Sequence, residues 1–263
     1  MDDSAPHLLH SIFAWLVGAS QVLGVASVVL TGVWMGHYRG GFSWDGSEQE
    51  FNLHPLCMVL GLVFLQGDAF PLASESLHSA ILVYRVFRSE PKKNLKLLHA
   101  IIHLLALTLS IIGFVAVFDF HRAAKIPDMY SLHSWCGMAT LVLFCLQWVM
   151  GLLFFLFPVA SSWIRASYLP IHVFCGLVLL IMAIGSCLLG ITEKLLFSIT
   201  STYALFAPEG VLANILGLLL VCFGMLIGYL TTRKEYRCLP NPEEESLSVH
   251  FKTLTEGGSP SSP

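Results

Sequence analysis

The sequence predicts an all-α integral membrane protein of six transmembrane helices. Three observations carry this: a composition too apolar for water, six apolar stretches long enough to cross a bilayer, and basic residues gathered on one side of those stretches. Of 263 residues, 56% are apolar and only 12% charged, whereas a soluble globular chain carries about a quarter charged residues. Lipid is the implied solvent. The net charge of −3 at pH 7 comes from few charges, leaving no basic field for nucleic acid and no acidic tail to treat as a partner site.

A helix needs about 20 mostly apolar residues to cross a hydrocarbon core about 30 Å thick. Six segments qualify: residues 8–36, 51–84 with an interruption, 95–118, 132–157, 171–191 and 211–230. The first lacks a basic leading region and is too long for a cleaved signal, so it reads as a retained span. The connections are short, so residues 1–232 read as one transmembrane domain. The tail, residues 233–263, has Pro240, Pro242, three consecutive glutamates and a Gly/Ser/Pro end, a composition that predicts disorder.

Lysine and arginine set the orientation. With six spans, the N-terminus, the second and fourth connections and the tail share one face, which holds ten of the 14 basic residues: Arg85, Arg88, Lys92, Lys93, Lys96, Arg165, Arg233, Lys234, Arg237 and Lys252. Arg39, Arg122, Lys125 and Lys194 lie opposite. Both termini are therefore predicted to be cytosolic. The seven cysteines form no CxxC pair, which argues against a disulfide framework or a zinc ribbon. Cys57, Cys136, Cys145, Cys175, Cys187 and Cys222 read as small buried residues.

The chemistry lies in histidines within or beside the spans, because an ionisable group at membrane depth is costly and marks function. His54 opens span two as NLHPL, His99 and His103 lie early in span three, His133 opens span four as SLHSW, and His172 opens span five as LPIH. Spans two and four start on the non-cytosolic side, which places His54 and His133 at one level. Spans three and five start on the cytosolic side, which places His99 and His172 at the other. Two depth-matched pairs suit bis-histidine haem, whose axial ligands approach from opposite faces of the porphyrin and so come from different helices. His99 and His103, at i and i+4, project from one helix face; one is a ligand and the other packs beside it, and spacing alone does not choose. Zinc is disfavoured, since no acidic residue or cysteine joins either pair at structural-site spacing. The absence of CxxCH argues against covalent c-type haem.

The runs FNLHPLCMVLGLVFLQGDA, ILVYRVFR, VFDFHR, YSLHSWCG, APEGVLANILGLLL and FKTLTEG resemble the cytochrome b-561 family over nearly the whole chain, most nearly its secretory-vesicle (chromaffin-granule) branch. The resemblance implies a core bundle of helices two to five holding two b-type haems. It further implies that cytosolic ascorbate is oxidised and monodehydroascorbate, or in some relatives ferric iron, is reduced on the lumenal side, in a secretory-vesicle membrane and as a homodimer. By the family pattern His54 and His133 hold the lumenal haem, and His99 and His172 the cytosolic one. Lys92, Lys96 and Arg165 match positions that contact ascorbate. Arg85 and Arg237 match contacts to the cytosolic haem. His121 matches the electron-acceptor histidine, with Asp128, Met129, Tyr130, Ser131 and Glu193 beside the lumenal haem.

The chain departs from the family pattern at FPLASESLHSA, eleven residues at 70–80 that include Pro71, Glu75 and His78. Proline inside a helix removes a backbone hydrogen bond and costs about 3 kcal/mol, so helix two is predicted to stop or bulge near Pro71. A ferric reductase with ascorbate as donor differs only in its acceptor site. A proton or metal transporter using the histidines as a relay would be colourless. No GxGxxG follows a strand, so a built-in pyridine-nucleotide reductase is not expected.

Overall fold

The computed structural model describes residues 4–68, 92–157 and 161–233. The segment 70–80, Arg85, Arg237 and the tail from residue 234 lie outside the described residues, as does the side chain of Lys92. Among the described residues the chain forms helices α1 (Ser4–Val33), α2 (Glu48–Phe51), α3 (Leu53–Met58), α4 (Lys92–Ala124), α5 (Leu132–Gly151), α6 (Ser162–Tyr203) and α7 (Pro208–Thr232). Five helical stretches are long and apolar enough to cross a membrane: Ser11–Tyr38, Lys96–Ala124, Leu132–Leu156, Ser162–Tyr203 and Pro208–Thr232. The second expected span is described only up to residue 68.

Local sequence explains the helix starts. Ser47 caps α2 by accepting from the Gln49 N–H, and Ser131 caps α5 in a reciprocal box with Ser134; both satisfy N–H groups that a helix start leaves unpaired. Pro208 stands in the first turn of α7, where its missing donor costs nothing. Wide π-helical turns follow α1 at Trp34–Tyr38, α3 at Val59–Leu65 and α5 at Leu152–Leu156.

Span five is longer than expected. The sequence reading began it at residue 171, but α6 starts at Ser162, keeps Pro170 inside and continues to Tyr203 with a kink at Ile199. Its 42 residues reach about 63 Å at 1.5 Å per residue, twice the hydrocarbon thickness. The polar and aromatic ends hid this length from an apolarity criterion. Arg165 therefore stands on a helix and not in a connection.

Helices α3, α4, α5 and α6 form the inner group, and α1 and α7 pack together along its flank, α7 against α6. The buried core follows this flank: Trp34, Met35, Leu180, Leu216, Leu220, Phe223 and Ile227 are all nearly inaccessible. Hydroxyls buried in α1 bond to their own helix, Ser27 to the Leu23 carbonyl and Thr31 to the Ser27 carbonyl, each at 2.8 Å; no water is then required in an apolar interior. At one end Glu209 of α7 accepts from Trp34 Nε1 at 2.7 Å and pairs with Arg39, which ties the end of α1 to the start of α7.

The cysteines correct one expectation. Cys57 is buried, Cys136, Cys145, Cys175 and Cys187 are half-buried, and Cys222 is exposed. A small apolar residue facing lipid needs no protein cover.

Candidate functional site

Four histidines on four helices meet in two pairs. The rings of His54 (α3) and His133 (α5) are 6.0 Å apart and nearly perpendicular, at 86°. Those of His99 (α4) and His172 (α6) are 6.3 Å apart at 62°. The depth sorting made from the sequence thus matches which rings are neighbours. His103 lies 4.4 Å from His99 and 5.5 Å from the Phe144 ring, and its Nδ1 is buried without a hydrogen-bond partner.

Each seat is built from a helix face. On α6, Ser186 and Gly190 stand one turn apart. The Ser186 carbonyl lies 2.9 Å from His133 Nδ1, and a Cβ placed on Gly190 would meet the His133 ring at 2.7 Å. On α5, Gln147 and Gly151 repeat the device in the opposite direction. Gln147 Nε2 lies 3.0 Å from His172 Nδ1, and a Cβ on Gly151 would come within 3.2 Å of His172 Cε1. The antiparallel neighbours α5 and α6 therefore exchange histidines, each ring resting on the other helix's bare glycine. His54 rests on α4, where the Gly113 carbonyl lies 3.1 Å from its Nδ1. A carbonyl only accepts, so His54 and His133 carry the proton on Nδ1 and leave Nε2 as the free lone pair.

At the His54 end, rings lead outward: Phe51 is 6.1 Å from His54, Phe120 is 5.4 Å from Phe51, and His121 is 6.0 Å from Phe120. His121 Nδ1 lies 3.1 Å from Asp128 Oδ1. Met129 adopts φ +58° and its carbonyl accepts from Trp135 Nε1 at 2.9 Å, which shapes the turn before Ser131. Tyr130 is exposed and Glu193 half-buried. A cavity of about 470 Å³ between α4 and α5 is lined by Phe114, Phe118, Met138 and Leu141, with Arg122 and Asp128 also on its wall; Phe114 stands 6.0 Å from His54.

At the His99 end, Lys96 is exposed one turn before His99, and Arg165 is half-buried two turns before His172. Both basic positions share a helix face with the histidine that follows them. Tyr168 lies between Arg165 and His172, its ring 5.9 Å from His172 and stacked on Phe155 at 5.7 Å. The sequence reading missed Gln147, Gly151, Ser186, Gly190 and Phe51. A glutamine inside an apolar span was the available signal for one of them; the glycines carried none.

Long apolar helices with histidines paired across the bundle define an α-helical multi-pass membrane protein. The family model described as eukaryotic cytochrome b561 matches residues 53–198. Similar proteins include the transmembrane ascorbate-dependent reductase CYB561 of Sus scrofa, 52% identical over 248 residues that make up 94% of each chain. That of Homo sapiens is 48% identical over 262 residues, the whole of both chains. The lysosomal membrane ascorbate-dependent ferrireductase CYB561A3 of Bos taurus is 42% identical over 243 residues, covering 90% of this chain and 87% of the relative. The chain belongs to the eukaryotic cytochrome b561 family, and membership implies haem b.

The residues present fit that group. Haem iron is held by histidine nitrogens, and each pair would offer it two imidazoles from different helices. The pairs stand at 6.0 and 6.3 Å.

Proposed function

We propose that this protein carries electrons across a membrane from cytosolic ascorbate to an oxidised acceptor on the lumenal side, through two haems b. His54 and His133 hold the lumenal haem; His99 and His172 hold the cytosolic one. The observation that carries this reading is the meeting of four imidazoles from four helices as two separate pairs, with ring centres 6.0 and 6.3 Å apart. Residues 1–232 act as one six-helix domain, with both termini cytosolic by the distribution of lysine and arginine. The membrane is that of a secretory vesicle and the assembly a homodimer, by analogy with the family.

When bound, haem iron supplies one-electron carriage at each level. The chain does the rest. Lys96 and Arg165, with Lys92 near Lys96 in sequence, draw the ascorbate anion to the His99–His172 end; Arg85 and Arg237, outside the described residues, match the family's contacts to the cytosolic haem. Backbone carbonyls of Gly113 and Ser186 hold Nδ1 of His54 and His133 and leave Nε2 of each ring as the free lone pair. The apolar helices keep water out. At the exit, the Asp128 carboxylate accepts from Nδ1 of His121 and fixes the ring; its other nitrogen, left as the acceptor, can take a proton from water and pass it to the acceptor as the electron arrives. Met129, Tyr130, Ser131 and Glu193 wall the lumenal haem.

The acceptor is monodehydroascorbate, which becomes ascorbate by gaining one electron and one proton. Ferric iron is the alternative, and the similarity to a relative named a ferrireductase favours keeping it. The test is a visible redox spectrum of the purified protein in vesicles. Ascorbate on the cytosolic side should reduce two haems per chain, and monodehydroascorbate on the other side should reoxidise them. A colourless preparation, or one that ascorbate leaves oxidised, overturns the reading.

A further inference from the structure

The basic residues at the His54–His133 end are Arg39, Arg122, Lys125 and Lys194. Two of them are neutralised, Arg39 by Glu209 and Arg122 by Asp119 at 2.8 Å. Lys125 is exposed in the turn after α4. Lys194 differs from all three: it is half-buried, has no ion pair among the described residues, and holds its ammonium 4.3 Å from the centre of the Phe51 ring.

That place lies just outside the imidazole pair. On α6, Lys194 stands one turn beyond Gly190, against which the His133 ring rests, and on the same helix face. Phe51 comes three residues before His54, and its ring is 6.1 Å from that imidazole. The contact of Lys194 with Phe51 thus spans the two ligand-bearing segments. Phe51 also meets Phe120, the neighbour of His121, so Lys194 and His121 flank the same rings. An aromatic face attracts an ammonium and fixes its place without cancelling its charge. The carboxylate that acts on it most is Glu48, exposed at the start of α2; Glu209 is taken by Arg39.

We propose that Lys194 is the anion-binding residue of the electron exit: it draws a negatively charged acceptor against Phe51, one ring away from His54, and disfavours a cationic one. Monodehydroascorbate is such an anion at neutral pH; aqueous ferric iron is not. In the transfer the acceptor gains one electron and the lumenal haem iron passes from ferrous to ferric. The inference deepens the proposed function and rests on it.

The test uses the full chain in vesicles loaded with ascorbate, so that only molecules with the cytosolic face inward become reduced. Reoxidation is followed by stopped flow with two external probes, ferricyanide, a trianion, and tris(bipyridine)cobalt(III), a trication. In Lys194→Gln, ferricyanide should react about tenfold more slowly and the cobalt trication no more slowly than in the wild type, with the difference shrinking at high salt. Lys194→Arg should keep the ferricyanide rate. Glu48→Gln removes the competing carboxylate and should speed ferricyanide. Apart from turnover, hexacyanocobaltate(III), a redox-inert copy of ferricyanide, should bind the oxidised protein more weakly in Lys194→Gln, by a similar factor in equilibrium dialysis.

Equal slowing of both probes in Lys194→Gln makes the lysine a packing residue of Phe51 and overturns the inference, as does an unchanged ferricyanide rate or an unchanged hexacyanocobaltate affinity. If Lys194→Gln loses the lumenal haem, Glu48→Gln still decides: no gain with ferricyanide overturns the inference. A wild type that ascorbate leaves oxidised would overturn the proposed function instead, and hexacyanocobaltate binding would still decide the anion site.

Discussion

Adding one methyl group at Gly190 should remove one haem and leave the helices standing. A Cβ there would lie 2.7 Å from His133 Cε1, 3.1 Å from Nδ1 and 3.2 Å from Nε2. Carbon–carbon contact becomes favourable only near about 3.5 Å, so the ring must retreat by about 0.8 Å. Metal sites tolerate about 0.2 Å in ligand distance, so His133 would leave the iron. Separating α5 from α6 is the other escape, and it stretches the 2.9 Å contact of His133 Nδ1 with the Ser186 carbonyl. Alanine is the better helix former by about 1 kcal/mol, so the backbone of α6 does not suffer. Gly151→Ala is the matched control: its Cβ would stand 3.2 Å from His172 Cε1, a deficit of only about 0.3 Å. The assay is haem per protein by pyridine haemochrome, with helicity by circular dichroism. Gly190→Ala should fall from two haems toward one at unchanged helicity, and Gly151→Ala should keep both. Two low-spin haems retained in Gly190→Ala would refute the assignment of His133 or the seat derived for it.

Four further outcomes follow from the same geometry. His54→Ala or His133→Ala should remove the lumenal haem and His99→Ala or His172→Ala the cytosolic one, while His103→Ala keeps two; haem stoichiometry and low-spin spectra decide. Neutralising Lys96 and Arg165 together should slow reduction by ascorbate by about tenfold and leave a neutral donor unaffected, and stopped-flow traces should show the difference shrinking at high salt. Glu209→Ala strands Arg39 and the Trp34 N–H in a largely buried place, so it should cost about 3 kcal/mol, read as a lower thermal midpoint in detergent with the visible spectrum unchanged. Phe51→Ala opens a gap between His54 and Phe120 and should slow reoxidation by the lumenal acceptor more than reduction by ascorbate.

What the sequence determined by itself was one-dimensional. Apolarity located the spans, and alternation of direction then ranked the histidines by depth, because a helix advances a fixed 1.5 Å per residue. His54 and His133 fell at one level and His99 and His172 at the other without any knowledge of packing. The basic residues added orientation, and the quoted motifs added the family. Only the tertiary structure decided what depends on rotation about each helix axis and on the neighbour met there. Spacing left His99 and His103 equivalent and the family pattern chose His99; the physical difference appears only in packing, where His99 stands opposite His172 and His103 lies against Phe144. Gly190 and Gly151 look like any glycine in an apolar span until a ring from the adjacent helix is seen against each. Arg165 appeared to lie in a connection because apolarity fades before residue 171, whereas α6 runs on as a helix to Ser162 at that end. Depth is a property of one helix and can be counted along the chain; facing is a property of two, and exists only once they pack.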